Sequence, residues 1–472
     1  MSRIFLVGAG PMMDGGACRV TAHAWRTWHF VSALRHAGHE VALYTVSQTI
    51  SPLDPLGQFA EPRTRDGVAY ENLDMRAGNM LAYLIERYQA FRPDCVVGVS
   101  TEPASWACRM RPTVPVWADL HGWVMAEAQL KAARDGNDDI LSHFWQHERP
   151  ILRRADTVSV VSTAQRFALL GELATVGRLN RHNVRHDLVV TIPSSVDFTS
   201  LAKPSETDCI RRLVGGDDAF VVLWSGSFNT WTDAATLFDA LEWVMTRDST
   251  VHFVATGGAI PGHVDSVFEA FSERVSRSPH GSRYHLVGWV GSHEFPAYLA
   301  GSHLAVCVDF PCLETSVGTR TRLVEAMAYG LPVLITRGTE LSTELEREHI
   351  GWVLAPGEPQ ALGERILKCA GEREQTASMG KRARRFVEQH YAIEQTMEPF
   401  LRWADRPCFA PDNALKRGES PTIFEAATNR LESDARALDD IEDIPSLAEA
   451  RRELERLRSQ RRSRLWRFWQ RR

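Results

Sequence analysis

The sequence predicts an α/β protein of two doubly wound, Rossmann-like domains that face each other across a cleft, followed by a C-terminal helical tail. Short apolar runs alternate with helix-periodic stretches, a pattern typical of parallel sheets covered by helices. The pattern restarts at Phe220, after a polar junction near Ser194–Glu206. The length of 472 residues is enough for two or three domains, each with its own core.

Near-continuous apolar character in the runs predicts strands that are buried on both faces. We assign 1–197 to an N-terminal domain, 206–395 to a second domain, 396–425 to a crossing helix and linker, and 426–472 to the charged tail. The predicted strands are Ile4–Val7, Val41–Thr45, Cys95–Val99, Val114–Ala118, Thr157–Val161, Leu188–Ile192, Phe220–Trp224, Val251–Thr256, His285–Val287, Leu304–Val308, Pro332–Ile335 and Trp352–Leu354. Ligands of such sheets bind at the carboxyl ends of the strands.

Composition indicates a soluble globular protein, with 44% hydrophobic and 24% charged residues and a net charge of −5. No apolar run approaches the roughly 18 residues of a membrane helix, and the N-terminus lacks the pattern of a signal peptide. The eight cysteines are scattered without a zinc-type spacing. We therefore expect a cytoplasmic protein without a catalytic metal, and nothing in the chain favours nucleic acid as a partner.

Residues 314–336 carry the most informative pattern. Arg320 and Arg322 lie in a loop that leads into a short helix, where unpaired N–H groups and the helix dipole favour anions. Two guanidinium groups suit phosphate, and Glu325, one turn into the helix, is placed to accept hydrogen bonds from sugar hydroxyls. Diphosphate together with sugar hydroxyls is the chemistry of a nucleotide-sugar site.

This segment resembles the donor-site motif of retaining GT-B glycosyltransferases, in particular glycosyltransferase family 4 (glycosyl transferases group 1). Glu325–Val333 matches the family pattern Glu-Ala-Met-Ala-x-Gly-x-Pro-Val. The resemblance implies sugar transfer with retention from a nucleotide-diphosphate sugar, which is the co-substrate, with no metal or other cofactor. The family usually has a glutamate eight positions earlier, where this chain has Val317. Glu314 is expected to take over its role at the donor sugar.

The resemblance extends to other loops at strand ends. His121 follows the strand Val114–Ala118 and is expected at the donor sugar as a catalytic residue. Asp119 and Glu102, also at carboxyl strand ends, are predicted to contact the acceptor. Six further residues are predicted to bind the donor. Gly16 lies in a glycine loop, Ser227 and Asn229 lie in the first loop of the second domain, and Gly288, Trp289 and Val290 are expected to contact the nucleotide base.

Two local patterns refine these expectations. Gly8-Ala9-Gly10 lacks the third glycine of a dinucleotide fingerprint, because that position is Met13, which argues against NAD. The loop after Leu223 lacks the arginine and lysine that the family normally places there. We therefore expect Arg320 and Arg322 to supply the positive charge for the diphosphate.

The tail combines residues 430–449, with a net charge of −5, and residues 450–472, with a net charge of +8. Residues 446–472 combine arginines with Trp466 and Trp469, which predicts binding to an anionic membrane surface on the inner face of the membrane. A coiled-coil partner and an intramolecular contact with the acidic block remain open. The acceptor is a glycan, a lipid-linked sugar or a small molecule, and two further functions remain open: a non-catalytic GT-B subunit and a nucleotide-sugar epimerase.

Overall fold

The computed structural model describes residues 1–12, 21–47, 62–74, 79–201, 208–216, 218–259 and 266–413. It contains two sheets with helices on both faces, so the predicted fold class is confirmed. Gly16 and the predicted tail, 426–472, lie outside the described residues. Within the described ranges, no helix combines the length and apolar character needed to cross a membrane.

In the part of the chain that the structure describes, the first sheet has eight strands, all parallel except the edge strand β3. Its strands are β1 (Arg3–Ala9), β2 (Glu40–Ser47), β3 (Arg63–Arg65), β4 (Val68–Asp74), β5 (Cys95–Val99), β6 (Val116–Leu120), β7 (Thr157–Val160) and β8 (Val189–Thr191). Its helices are α1 (Ala22–His36), α2 (Met80–Phe91), α3 (Thr101–Arg109), α4 (Val124–Asp135), α5 (Asp139–Arg154) and α6 (Thr163–Thr175). The strand order is β3-β4-β2-β1-β5-β6-β7-β8.

The second sheet has six parallel strands among the described residues, in the order β11-β10-β9-β12-β13-β14. These are β9 (Phe220–Ser225), β10 (Val251–Thr256), β11 (Tyr284–Gly288), β12 (Leu304–Cys307), β13 (Val333–Thr336) and β14 (Trp352–Leu354). The helices are α7 (Asp208–Val214), α8 (Ala234–Met245), α9 (Ser266–Ser276), α10 (Phe295–Gly301), α11 (Leu313–Val317), α12 (Thr321–Ala328), α13 (Glu340–Glu348), α14 (Pro359–Gly371), α15 (Arg373–His390), α16 (Ile393–Thr396) and α17 (Glu398–Asp405).

Each sheet separates two apolar cores because successive strand residues point to opposite faces. In β1, Ile4 and Leu6 enter one core, whereas Phe5 and Val7 enter the other. The sheets are therefore buried on both sides, as their apolar runs predict. The same alternation divides β9 between the two cores of the second sheet.

Within the described residues, the chain crosses between the two sheets twice, and the two crossings lie side by side. The Val196 N–H donates to the Tyr391 carbonyl at 2.8 Å, and the Ile393 N–H donates to the Val196 carbonyl at 2.9 Å. Beyond this point α17 packs on the first sheet, where the buried Phe400 ring lies 4.6 Å from Phe30 and 5.2 Å from Trp117, centroid to centroid. The last helices of the second half thereby complete a core of the first.

Candidate active site

A cavity of about 860 Å³ lies between the carboxyl ends of the two sheets. Its first-sheet wall includes the residues that follow β5 and β6, and its second-sheet wall includes those that follow β9 and β11 together with the start of α12. Carboxyl strand ends that face each other are the expected position for a ligand site in paired α/β domains. Most of the predicted site residues line this cavity; the exceptions among the described residues are Asp119 and Gly288.

The loop after β9 brings backbone close to a cation. Gly226 has a φ of +84°, a conformation that side chains disfavour, and a Cβ there would lie 3.6 Å from the Arg322 guanidinium carbon. Next to it, the Ser227 hydroxyl donates to the Asn229 side-chain oxygen at 2.8 Å. The backbone conformation, and not a lack of space, favours glycine here, since 3.6 Å is an ordinary van der Waals distance. The predicted residues Ser227 and Asn229 form the adjacent wall.

Arg322 is held at the cavity wall by two contacts. Its guanidinium carbon lies 5.1 Å from the centroid of the Trp224 ring, and one terminal nitrogen donates to the Ser227 carbonyl at 3.2 Å. Neither contact involves an acidic group, so the charge of Arg322 is not neutralised by them. Since α12 begins one residue earlier, its unpaired N–H groups add to the positive potential at this wall.

Arg320 also lines the cavity but has a different environment, in which acidic groups occupy most of its guanidinium, so its contact with a donor phosphate stays a prediction. Its Nε donates to Asp309 at 2.6 Å, and its two terminal nitrogens donate to the Glu314 oxygens at 3.1 and 2.9 Å. A further bond, to the Thr319 carbonyl at 3.0 Å, means that four of the five N–H groups of Arg320 are occupied. With 3% of its surface exposed, Arg320 is a buried ion-pair centre.

Glu314 lines the cavity while it is bound to Arg320 on both oxygens. Burial raises its pKa to about 7, against the opposing charge and hydrogen bonds of Arg320. An ionised carboxylate offers about four acceptor positions, so two bonds to Arg320 leave capacity for a ligand hydroxyl. Val317, where the family usually has a glutamate, is 5% exposed, and its carbonyl accepts a hydrogen bond from Ser162 Oγ at 2.5 Å across the two halves.

Glu325 lies on the first turn and a half of α12 and lines the cavity. Burial alone raises its pKa to about 7. A carboxylate in this position gains from hydrogen-bond donors that a ligand brings, because they offset the cost of desolvation. This property suits the hydroxyl-binding role predicted for Glu325.

The loop after β11 forms the end of the cavity that is predicted to bind the nucleotide base. Trp289 and Val290 line it, and the Trp289 indole N–H donates to the Ala259 carbonyl at 2.8 Å, which fixes the ring. Gly288 lies behind the wall rather than in it: its φ is +81°, and its carbonyl accepts from the Gly257 N–H at 2.7 Å. The direct contacts predicted for this loop are therefore available to Trp289 and Val290, and Gly288 shapes the turn.

His121 lies on the first-sheet wall of the cavity, edge-on to His23 with ring centroids 5.2 Å apart. Its Nδ1 is buried without a hydrogen-bond partner among the described residues. Burial, followed by the nearby charges of His23, Arg26 and His29, keeps the pKa of His121 well below its usual value. A neutral imidazole at the cavity wall is suited to contact a ligand hydroxyl.

The prediction that Asp119 contacts an acceptor is wrong. The structure extends β6 to Leu120, two residues beyond the predicted end, so Asp119 belongs to the strand and is fully buried. Its oxygens accept from Arg26 at 2.8 and 3.1 Å and from Ser159 Oγ at 2.6 Å. Arg26 also donates to the carbonyls of Ile192 and Pro193, so this ion pair anchors α1 to the segment before the first crossing.

Glu102 does face the cavity, and the structure adds two residues that the sequence analysis missed. His143 Nε2 lies 3.4 Å from Glu102 Oε1, and His147 follows one helical turn later. Burial alone opposes ionisation of Glu102, but the His143 hydrogen bond and the charges of His147 and His143 lower its pKa. The spacing of the two histidines was visible in the sequence, but the partner from α3 was not.

Two family models match the chain: "Glycosyl transferase 4-like domain" over residues 21–193 and "Glycosyl transferases group 1" over residues 219–372. Together they span 327 of the 472 residues and include both walls of the cavity. The chain belongs to the group 1 glycosyltransferases. It is therefore an enzyme of the glycosyl-transfer class, as the motif around Glu325 predicted. No curated protein matches it by sequence.

Solved structures share the fold of this glycosyltransferase at low identity. Sucrose-phosphate synthase from Thermosynechococcus elongatus aligns with a TM-score of 0.63 and 16% identity, over 86% of this chain and 100% of that one. Anabaena HepE in complex with UDP-glucose aligns with a TM-score of 0.59 and 18% identity, over 85% and 100%. Trehalose-6-phosphate synthase OtsA gives 0.62 and 10%, over 86% and 100%. These similarities confirm the GT-B arrangement of the two sheets.

Proposed function

We propose that this glycosyltransferase takes a sugar from a nucleotide-diphosphate sugar and transfers it with retention to an acceptor bound on the first-sheet side. The observation that carries the proposal is Arg322, a guanidinium at the cavity wall whose recorded contacts are a carbonyl and a ring, beside the Gly226 backbone and one turn from Glu325. The HepE structure contains UDP-glucose, which makes a uridine donor the first to test.

Each wall residue has a distinct role in this proposal. Arg322 and the N–H groups at the start of α12 stabilise the negative charge that develops on the departing diphosphate. Glu325 accepts from the ribose hydroxyls, and Trp289 and Val290 border the base. The donor phosphate itself assists removal of the acceptor proton, as the family resemblance implies, so the donor side of the reaction uses no metal.

The sugar is proposed to lie between Glu314 and His121. Glu314 is held in one orientation by Arg320, which fixes its remaining acceptor positions toward the cavity. His121 lines the cavity, and burial keeps its pKa well below the usual value, so the imidazole there is neutral. A neutral group is suited to a reacting sugar centre that develops positive charge, because it adds no electrostatic repulsion there.

The acceptor is proposed to enter beside Glu102, as a glycan, a lipid-linked sugar or a small molecule. A membrane-borne acceptor accords with the Trp- and Arg-containing tail, 446–472, which would bring the enzyme to an anionic surface. Co-sedimentation of the full chain and of a chain ending at residue 425 with phosphatidylglycerol vesicles tests this. Equal sedimentation of the two proteins would remove the tail from the proposal.

The donor site is tested by calorimetric titration with UDP, GDP, ADP and TDP. We expect one diphosphate to bind selectively and Arg322→Ala to weaken it by about 10- to 150-fold, as loss of charge-assisted bonds worth about 1.5–3 kcal/mol implies. Arg384→Ala, which removes an exposed arginine on α15, is the matched control and should leave binding unchanged. Failure of all four diphosphates to bind would overturn the proposed donor class.

Retention has its own test. Once a donor and an acceptor are found, proton NMR during the reaction gives the anomeric configuration of the first product formed. Retention predicts the configuration of the donor sugar. The opposite anomer as the initial product would exclude the retaining mechanism but leave the donor-site assignment intact.

A further inference from the structure

A group of three side chains on the first-sheet wall of the cavity has the composition of a metal site. Glu102 is the second residue of α3, and His143 and His147 lie one turn apart on α5. Their ligand atoms all lie within 4.8 Å of one another. Residues at positions i and i+4 share one face of a helix, so both imidazoles are directed toward the start of α3.

The geometry is close to that of a bound ion. Ligand atoms about 2.0–2.1 Å from a tetrahedral Zn²⁺ are separated by about 3.4 Å. The distance between His143 Nε2 and Glu102 Oε1 is already 3.4 Å. The rings of His143 and His147 have centroids 4.9 Å apart at 65°, and the ligand atom of His147 lies within 4.8 Å of the other two.

His147 provides a second, independent observation. Only 8% of its surface is exposed, and its Nδ1 is buried without a hydrogen-bond partner among the described residues. Leaving a buried polar nitrogen unpaired costs about 1–3 kcal/mol, and most such groups in proteins find a partner. A cation bound by the imidazole would supply that missing interaction.

From these contacts we propose that Glu102, His143 and His147 bind a divalent cation of the Zn²⁺ type. Two imidazoles and one carboxylate are a ligand set that zinc uses when it keeps an open position. Glu102 and His143 both line the cavity, so the open position faces it. This site differs from the metal-free expectation drawn from sequence motifs, and it goes beyond the proposed transfer reaction.

The open position gives the ion a specific ligand class. A hard or borderline cation there takes an oxygen from an acceptor hydroxyl, carboxylate or phosphate. The donor diphosphate is assigned to Arg322 on the opposite wall, so the cation belongs to the acceptor side. The neighbouring Arg109 directs one terminal nitrogen to the Gln146 carbonyl, at 3.3 Å.

The test uses the full chain after treatment with a chelator. Equilibrium dialysis against Zn²⁺ gives the stoichiometry, and titration with Co²⁺ gives the absorption bands of a tetrahedral or five-coordinate site. The variants are Glu102→Gln, His143→Ala and His147→Ala. His36→Ala, which removes an exposed imidazole at the end of α1, is the matched control.

We expect one equivalent of Zn²⁺ in the wild type and in His36→Ala, and at least tenfold weaker binding in each of the three site variants. Because His147 is buried, the binding result for His147→Ala counts only if that variant still unfolds cooperatively on heating. If it does not, the variants at the partly exposed His143 and Glu102 decide the test. No bound equivalent in the wild type, or binding that survives both His143→Ala and Glu102→Gln, would overturn the proposal.

Discussion

Removal of Arg320 and removal of Arg322 should have opposite consequences, although the two residues are only two positions apart. Arg320→Ala leaves Asp309 and Glu314, with side chains 2% and 8% exposed, without their common cation. Removing one partner of a buried ion pair costs about 3–5 kcal/mol, because the remaining charge stays desolvated. For a domain of 150–250 residues this corresponds to a fall in melting temperature of roughly 6–20 °C.

Arg322→Ala should change the melting temperature little. The side chain is partly exposed and contributes one bond to a carbonyl and a contact with Trp224, so we expect a loss of about 1 kcal/mol or less. Its effect should instead appear in nucleoside diphosphate binding. Thermal unfolding followed by circular dichroism, together with calorimetric titration of both variants, separates the two roles.

The pH dependence sharpens this comparison. Burial raises the pKa of Glu314 to about 7 while the charge of Arg320 opposes that rise, so in Arg320→Ala the Glu314 carboxyl should gain a proton more readily. The difference in melting temperature from the wild type should therefore narrow as the pH falls from 8 to 5. Adding Asp309→Asn and Glu314→Gln should restore part of the lost stability. The reasoning is refuted if Arg320→Ala unfolds at the wild-type temperature, or if Arg322→Ala shows the large destabilisation.

Three further outcomes are expected. Burial raises the pKa of Glu325 to about 7 from its usual 4.5, so the folded state binds this proton more tightly than the unfolded state does. The resulting contribution to the free energy of unfolding is complete below pH 4.5 and is lost as the pH rises through 7. Glu325→Gln should reduce the pH dependence of the free energy of unfolding, measured in urea, by about 1–3 kcal/mol, and an unchanged pH profile would contradict the assignment. Gly226→Ala should weaken diphosphate binding severalfold in calorimetry, because its φ of +84° disfavours a side chain and a shift of the loop displaces the Ser227 carbonyl that holds Arg322. Gly215→Ala, with a similar φ of +80° and open space around it, should cost stability without affecting binding. Equal binding by the two variants would argue against a role for the Gly226 loop in the donor site. Phe400→Ala should lower the free energy of unfolding by about 3–5 kcal/mol, whereas Phe167→Ala, which removes a ring that is 63% exposed, should lower it much less. A small loss in Phe400→Ala would show that α17 is not part of the core.

The fold was predictable because its strands are apolar on both faces. All twelve predicted runs overlap strands of the structure, since a run such as Val251–Thr256 has no other low-energy position than the centre of a covered sheet. The strands β3 and β4 were missed. They lie at the edge of the first sheet and contain polar residues such as Arg63 and Glu71, so they lack the continuous apolar character that marks the others.

The site was only partly predictable, because sequence spacing does not reveal burial. Arg320 and Arg322 look alike in the sequence, and the positions of Asp309 and Glu314 in the folded chain decide which one is enclosed. A strand end displaced by two residues was enough to move Asp119 from the cavity into the sheet. His143 and Glu102 are 41 positions apart, and no local pattern connects them.

The paired crossings near Val196 and Ala392 determine how the two halves can move. Because the only backbone bridge between these segments in the described chain is a short parallel one, the crossings form a single narrow hinge. Rotation about that line requires changes in a few backbone dihedrals, whereas sliding of one half past the other would break the bridge and pull α17 from its core. The bonds from Thr163 to Glu340, at 2.7 and 2.8 Å, also join the two halves, so a rotation that opens the cleft has to break them.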